Sequence, residues 1–248
     1  MAAKDLQAAA RQQGFRPISV DVALFGRMTT SEAFRDVEAA CQVAHALSTH
    51  KVDHEFDYFT AVDDLKDGIA EEEEDSGADM LGDVEFNSAC YYKYLSVDVD
   101  GVVDNLTGIA AGRKEIPSDE LADARALAWR AVVAMLRAAV LTTPTGKQNT
   151  FAAHQLPAAV LIEMRPVRLP VSYANAFVEP ARASGGDSLV TASLRKFGVH
   201  VEALTAGFNL PSSGRLLLAP EYPGWDIAGV ERMADLNTLC DSLTAGVR

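Results

Sequence analysis

The chain has 248 residues, and a hydrophobic content of 48% is enough for one sizeable globular core. No stretch is long and apolar enough to span a bilayer, and three scattered cysteines (Cys41, Cys90 and Cys240) exclude a disulfide framework, so we expect a cytoplasmic protein. The net charge of -13 argues against simple nucleic-acid binding, because neutralising phosphates usually takes an excess of lysine and arginine.

The first third of the chain predicts a strand, a helix and an inserted arm. Residues 18–25 alternate apolar with small or polar side chains, which is typical of a half-buried strand. Between residues 31 and 49 apolar side chains recur three or four residues apart, which predicts a helix; they are Phe34, Val37, Cys41, Ala44 and Leu47. Residues 50–82 follow neither period and include an acidic run at 71–75, so we expect a loop or arm there.

The middle of the chain predicts a long strand, a long helix and a buried strand. Residues 84–99 are rich in aromatic and β-branched side chains and favour one strand, paired with residues 18–25. Ser118 is a suitable N-cap for a helix over residues 118–141, and two acids follow Ser118 in the first turn. After a polar connection, the apolar run at 158–164 predicts a buried strand.

The last third predicts short alternating elements. We expect helices at residues 172–183 and 188–197, the second capped by Asp187 and ended by Gly198. Strands are expected at 199–204 and 215–218, and a final helix at 227–243. The order of elements predicts a single α+β domain over residues 1–248, with helices on one face of an antiparallel sheet.

Possible metal ligands are most concentrated at residues 45–57, where three histidines and three acids occur together. Such a density can bind a transition metal, so a metal-dependent nuclease or hydrolase using His45, His50 and Asp53 is one alternative. The spacing argues against it, because ligands on one helix face lie three or four residues apart and His45 and His50 are five apart. The other interpretation is a solvated polar segment at the base of the arm.

Two other features suit contacts with nucleic acid. Lys147, Gln148 and Asn149 follow Gly146 in a polar turn that could contact phosphate or sugar oxygens, although a plain polar turn explains them equally well. Met28 and the pair Tyr58-Phe59 lie beside segments with loop-like composition. Such residues are more often part of a core, but they could instead stack on the bases of a single strand.

Five segments in order resemble one known family. They are DVALFGRMTTS, QVAHALSTHKVDHEFDYFTAVDDL, MLGDVEFNSACYYKYLSVDVD, GKQNTFAAHQLPAAVLIE and PVSYANAFVEP. They are similar to segments of the CasC family, the backbone subunit of the type I-E CRISPR surveillance complex Cascade. The similar segments extend from residue 21 to residue 180, and beyond about residue 184 the resemblance is loose.

The resemblance implies a fold and a function. The fold would be an RNA-recognition-motif-like (ferredoxin-like) palm with helical additions and a protruding thumb, to which residues 50–82 correspond. The subunit would be non-catalytic, would need no cofactor or membrane, and would bind CRISPR guide RNA. Further copies of itself and other Cascade subunits would be its partners, and target DNA would be met through the guide. Each thumb would reach over the RNA of a neighbouring copy and displace a base at intervals.

Eight residues match motifs of this family. They are Arg27 and Met28 in a Gly-Arg-Met motif, Tyr58, Phe59 and Thr60 in an aromatic-aromatic-Thr motif, and Lys147, Gln148 and Thr150 in a lysine-glutamine loop. The resemblance implies that Met28 and Phe59 wedge between bases, with Tyr58 and Thr60 beside them. It also implies that Arg27 and Lys147 contact phosphates.

The start of the chain differs from the family pattern. Family members begin with a strand and a basic segment rich in arginine and serine, whereas this chain opens just ahead of DVALFGRM. We therefore expect the C-terminal two-thirds of a family chain, with an N-terminally incomplete palm and an unpaired sheet edge. A folded remnant that makes only protein-protein contacts is the remaining alternative.

Overall fold

The computed structural model describes residues 18–30, 35–61 and 80–245. The acidic run at residues 71–75 and the first four residues of the helix predicted at 31–49 lie outside the described residues. Within the described ranges the architecture is mixed α+β, as predicted, with four small sheets instead of one large one.

Six α-helices and nine strands make up the described part of the chain. The helices are α1 Val20–Phe25, α2 Val99–Thr107, α3 Ser118–Leu141, α4 Gln148–Phe151, α5 Leu189–Gly207 and α6 Leu236–Ala245. The strands are β1 Cys41–Val43, β2 Leu47–Ser48, β3 Glu55–Ala61, β4 Met80–Phe86, β5 Tyr91–Tyr92, β6 Leu95–Val97, β7 Val160–Met164, β8 Gly214–Leu218 and β9 Glu231–Arg232. A 3₁₀ turn covers Ala174–Phe177.

The strands β1 to β6 form one interrupted antiparallel hairpin. Its first leg is β1, β2 and β3, which pair with β6, β5 and β4 of the second leg. The first leg has three residues between β1 and β2, whereas the second leg has only two between β5 and β6. The first leg also has six residues between β2 and β3, whereas the second leg has only four between β4 and β5. The surplus residues on the first leg act like β-bulges, which bend a hairpin and break its ladder. We call the paired strands β3 and β4 the arm.

Three predictions in the first half of the chain were wrong. The strand predicted at 18–25 is absent, because residues 20–25 form the helix α1. The adjacent residues Ala23 and Leu24 are both buried, which does not fit a half-buried strand with a period of two. Residues 35–49 form β1 and β2 and not a helix, because hydrogen bonds to the second leg override a local period of three to four. The long strand expected at 84–99 is divided into β4, β5 and β6 by the bends of the hairpin.

Helices cover both faces of the sheet β7-β8-β9. On one face Ile162, Leu216 and Leu218 pack with α6 and with the second half of α3. On the other, Leu161 packs with Tyr173 and with Val201 of α5, among other residues. The expectation of helices on a single face was therefore wrong, and so was that of a purely antiparallel sheet, because β8 and β9 run parallel. Strand β7 has apolar residues on both sides and can be covered from both.

Another cluster joins α1, α2 and α3. Ala23 and Leu24 of α1 pack with Val102 of α2 and with Ala128 of α3, all of them buried. Helix α3 covers the predicted range 118–141, although Pro117 and not Ser118 occupies its N-cap. Its first half belongs to this cluster and its second half packs on the sheet, so α3 connects the two parts of the core.

The C-terminal predictions were partly wrong. Helix α5 has Ser188 as its cap, whose side chain accepts a hydrogen bond from the Thr191 amide, and it continues to Gly207, through the strand expected at 199–204. Gly198 does not end the helix but lies within it, where the indole of Trp225 packs over it. The helix expected at 172–183 is only a 3₁₀ turn, and the last helix begins at Leu236, after the strand β9. The strand at 215–218 is confirmed as β8.

The hairpin is anchored to α5 at its middle. The hydroxyls of Thr49 and Ser193 lie 2.7 Å apart, and the Tyr173 amide donates to the Tyr92 hydroxyl at 3.0 Å. The rings of Tyr92 and Phe197 are 6.0 Å apart. The arm therefore projects from a fixed base.

In the part of the chain that the structure describes, no helix has the length and apolarity needed to cross a membrane.

Candidate nucleic-acid interface

The Gly26-Arg27-Met28 segment is a turn that only glycine can open. Gly26 has φ of 74°, and a Cβ there would come 2.6 Å from the Val37 carbonyl oxygen. Arg27 then exchanges backbone hydrogen bonds with Val37 and donates from its guanidinium to the Arg35 carbonyl at 3.2 Å. These contacts leave Met28 at the tip, where its side chain is 91% exposed.

The arm carries exposed apolar side chains on two opposite faces. Successive residues of a strand point to opposite sides, so Phe56, Tyr58 and Thr60 share one face, together with Leu81 opposite Thr60. Tyr58 is 73% exposed and Leu81 is 72% exposed. Phe59 lies on the other face and is 43% exposed. The three neighbours Tyr58, Phe59 and Thr60 thus divide between the faces.

The strands of the arm carry acids and no lysine or arginine. Glu55, Asp57, Asp83 and Glu85 are all exposed, and His54 pairs with Glu85 at the root of the arm. Carboxylates repel phosphates, so this surface is unsuited to gripping a nucleic-acid backbone. Its aromatic residues are suited to stacking on bases, which needs no charge.

The predicted lysine-glutamine loop is a compact turn between α3 and β7. Lys147 adopts a left-handed conformation with φ of 55° and is the N-cap of the single-turn helix α4. The Gln148 side-chain amide donates to the Pro144 carbonyl at 2.8 Å, so this residue holds the turn together. Lys147 and Thr150 remain exposed. The loop therefore presents the ammonium of Lys147 and the hydroxyl of Thr150 to solvent, among other polar groups.

The structure brings the loop and the arm together. The ring of Phe151, the last residue of α4, lies 5.8 Å from the ring of Phe86, the last residue of β4. The turn of Met28 is built instead against residues 35–39. Phe56, Leu81, Phe86 and Phe151 were missed as candidates; the alternation in residues 55–61 signals Phe56, whereas nothing local signals Phe151.

The arrangement at His50 does not suit a metal or a general base. The Nδ1 of His50 donates to the Lys51 carbonyl at 2.7 Å, and Nε2 accepts from the Cys90 amide at 3.0 Å. Both ring nitrogens are therefore occupied, and the bond from Cys90 joins the two legs. Asp53 pairs with Lys51 at 3.1 Å. Among the residues that the structure describes, no group of three or more histidine, cysteine or acidic side chains could hold a metal ion.

Comparisons with known proteins agree with one another. The family model Cas_CT1975, described as CT1975-like protein, matches residues 1–241. A solved chain of a "CRISPR RNA-guided surveillance complex, pre-nicking" is similar with a TM-score of 0.71 and 30% identity, over 93% of this chain and 56% of that chain. This chain therefore spans little more than half the length of that relative.

A second solved chain, of a "CRISPR RNA-guided surveillance complex", is similar with a TM-score of 0.71 and 30% identity. The similarity covers 99% of this chain and 82% of that chain. No curated protein matches the sequence.

Proposed function

The chain belongs to the CT1975-like family, and from that membership we propose that it is a guide-RNA-binding backbone subunit of a CRISPR surveillance complex. The observation that carries the proposal is the arm, which exposes Phe56, Tyr58, Phe59 and Leu81 on two faces outside the core. Both solved relatives come from complexes described as CRISPR RNA-guided. The finer assignment, also a proposal, is the backbone subunit of a type I-E Cascade with a palm like an RNA-recognition motif.

The proposed contacts divide by chemistry. Tyr58 and Phe59, with Thr60 beside them, stack on or separate bases, and Met28 acts as a second apolar wedge. Arg27, Lys147 and Thr150 contact phosphate and sugar oxygens, and Gln148 holds the loop that presents the last two. Base stacking on an aromatic side chain is worth about 1–3 kcal/mol, which allows an acidic protein to bind RNA without a broad basic surface. We expect a shallow dependence of affinity on salt, because few cations take part.

The proposed mechanism is binding without bond cleavage. Copies of the subunit, joined by other complex subunits, hold the guide RNA in an ordered form, so that pairing with target DNA costs less conformational entropy. The guide reads the sequence of the DNA, while the protein contacts the backbone and shape of the RNA. We place this assembly in the cytoplasm, where the three free cysteines would stay reduced.

The test is co-expression of the tagged chain with a CRISPR transcript and the other subunits of the surveillance complex. We expect a purified complex that holds several copies of the chain and intact guide RNA. A Tyr58→Ala, Phe59→Ala double variant should recover less RNA. The control is Phe208→Ala, which removes an exposed phenylalanine just after α5. A chain that purifies alone would contradict the proposal and would favour a protein with protein-protein contacts only.

The same preparation tests the alternative of a metal-dependent nuclease. We expect the bound RNA to remain uncut when Mg²⁺ or Mn²⁺ is added. Cleavage that requires metal and is lost in His50→Ala would contradict a purely binding role. Loss of stability alone in that variant would instead agree with the hydrogen bond that His50 accepts from Cys90.

A further inference from the structure

The lysine-glutamine loop is held by its own hydrogen bonds. Within the described part of the chain, every hydrogen bond made by residues 142–154 either stays within that segment or reaches back to α3. The longest in sequence joins the Thr143 hydroxyl to His154 Nδ1 at 3.1 Å. In α4 the Phe151 amide donates to the Lys147 carbonyl at 3.0 Å, so one helical turn links these two residues. Hydrogen bonds therefore define the shape of the loop but do not fix it against the arm.

An aromatic contact supplies that attachment. Phe151 packs its ring on Phe86 at 5.8 Å with an interplanar angle of 34°. Phe86 pairs with Glu55 at the root of the arm and shares its face with Val84 and Phe59. The face of Phe59 thus carries Val84 and Phe86 beside the acids Glu55 and Asp57. At its root, Phe86 contacts Phe151, which lies one helical turn from Lys147.

We propose that Phe86 and Phe151 are positioning residues, which hold the phosphate-contacting loop at a fixed place beside the arm. The inference rests on the proposed function. Lys147 can contact a phosphate of the same nucleotides that Phe59 meets only if the loop and the arm keep a constant separation. A freely moving loop would lose this advantage, because each encounter would cost the entropy of ordering it. An aromatic pair suits the task, since two such rings attract each other beyond what the burial of their area supplies.

The first experiment measures RNA affinity of the assembled chain, at several salt concentrations, with a single-stranded CRISPR repeat-spacer RNA. Lys147→Glu should lower the slope of log affinity against log salt by about one. Phe151→Ala keeps the lysine but frees the loop, and we expect it to lower the slope by a similar amount. In the Lys147→Glu, Phe151→Ala double variant, the charge change should lower the salt slope little further than Phe151→Ala does alone. Phe208→Ala is the matched control and should keep the wild-type slope.

The second experiment follows amide hydrogen exchange in the RNA-free chain. Phe86→Leu, a variant that keeps an apolar side chain, and Phe86→Ala should both speed exchange at the amides of Phe151 and Ala152, more so for alanine. Unchanged exchange would overturn the proposed attachment, and so would a wild-type salt slope in Phe151→Ala. If the wild-type chain binds no RNA, the proposed function itself fails. If it binds RNA with a salt slope that Phe151→Ala does not change, only the positioning role fails.

Discussion

The ring of Phe59 lies across Gly82, its partner in the antiparallel register of the arm. A Cβ built on Gly82 would come 2.5 Å from Cζ of Phe59 and 2.7 Å from one of its Cε atoms, so the ring occupies the space that a side chain would need. An aromatic residue that covers a glycine on the facing strand protects an exposed backbone. This arrangement fixes the direction of Phe59 without burying it in the core.

Gly82→Ala should therefore act on RNA binding through Phe59. The new methyl group meets the far end of a side chain that can rotate away, so the fold should tolerate it, with a change in the free energy of unfolding of about 0.5 kcal/mol or less. We expect reduced RNA recovery in the assembled complex, close to that of Phe59→Ala. Gly207→Ala is the control, because nothing lies within 4 Å of its Cβ. Wild-type RNA recovery in Gly82→Ala would show that the direction of the ring is unimportant.

Tyr58 and Phe59 should make independent contributions to RNA binding because they lie on opposite faces of the arm. If each meets a different base, the alanine substitutions should each cost about 1–3 kcal/mol of binding free energy and should add in the double variant. The measurement is RNA affinity at constant salt. Tyr91→Ala is the control, since Tyr91 is also an exposed tyrosine of the hairpin but belongs to β5, outside the arm. A strongly non-additive result would indicate that both rings meet the same base.

Sequence patterns predicted the elements whose signals are local. Helix α3 matched because an uninterrupted helical run ends at Thr142-Thr143-Pro144, and β8 matched because a short apolar run lies between polar turns. Residues 55–61, expected to be part of a loop or arm, form the strand β3, which their composition did not predict. Tyr58 and Met28 are exposed as a role in stacking requires, whereas Phe59 is about half-covered.

The errors share a physical cause, which is competition between local periodicity and distant partners. Cys41 and Leu47 have helical spacing, yet their backbones bond to Val97 and Tyr92 in the other leg of the hairpin. Residues 199–204 have a strand-like composition but extend a helix that packs on Tyr173 and Ile227. The Phe86-Phe151 contact joins segments that are far apart in sequence, so no spacing rule could find it.

Glu163→Gln should destabilise the fold strongly. The Glu163 carboxylate is almost fully buried and accepts hydrogen bonds from Arg165 at 2.8 Å, Tyr173 at 2.8 Å and Arg215 at 2.9 Å. Removing its charge leaves two buried guanidinium groups without a counter-charge, which typically costs about 3–5 kcal/mol. Urea unfolding should show this loss, whereas Asp187→Asn, which breaks the more exposed pair with Arg195, should cost about 1 kcal/mol or less. An equally small loss of unfolding free energy in both variants would mean that the charge of Glu163 does not stabilise the fold.

The same cluster predicts how stability should depend on alkaline pH. Burial raises the pKa of Tyr173 to about 12, and the hydrogen bond to Glu163 and the negative charge of that carboxylate act in the same direction. The folded pKa lies above the unfolded value of about 10, so the stabilising contribution is complete below pH 10 and is lost as the pH rises toward 12. Wild-type stability, measured by urea unfolding, should thus fall between pH 10 and 12.

Tyr173→Phe cannot ionise and should lose less stability than the wild type over this interval, although it should be less stable at pH 7 because Glu163 loses a donor. Tyr91→Phe, which changes an exposed tyrosine, should follow the wild-type profile. An identical fall with pH in Tyr173→Phe would assign the alkaline loss to another group. In Glu163→Gln the ultraviolet titration of Tyr173 should move to lower pH, because the charge that opposes its ionisation is gone.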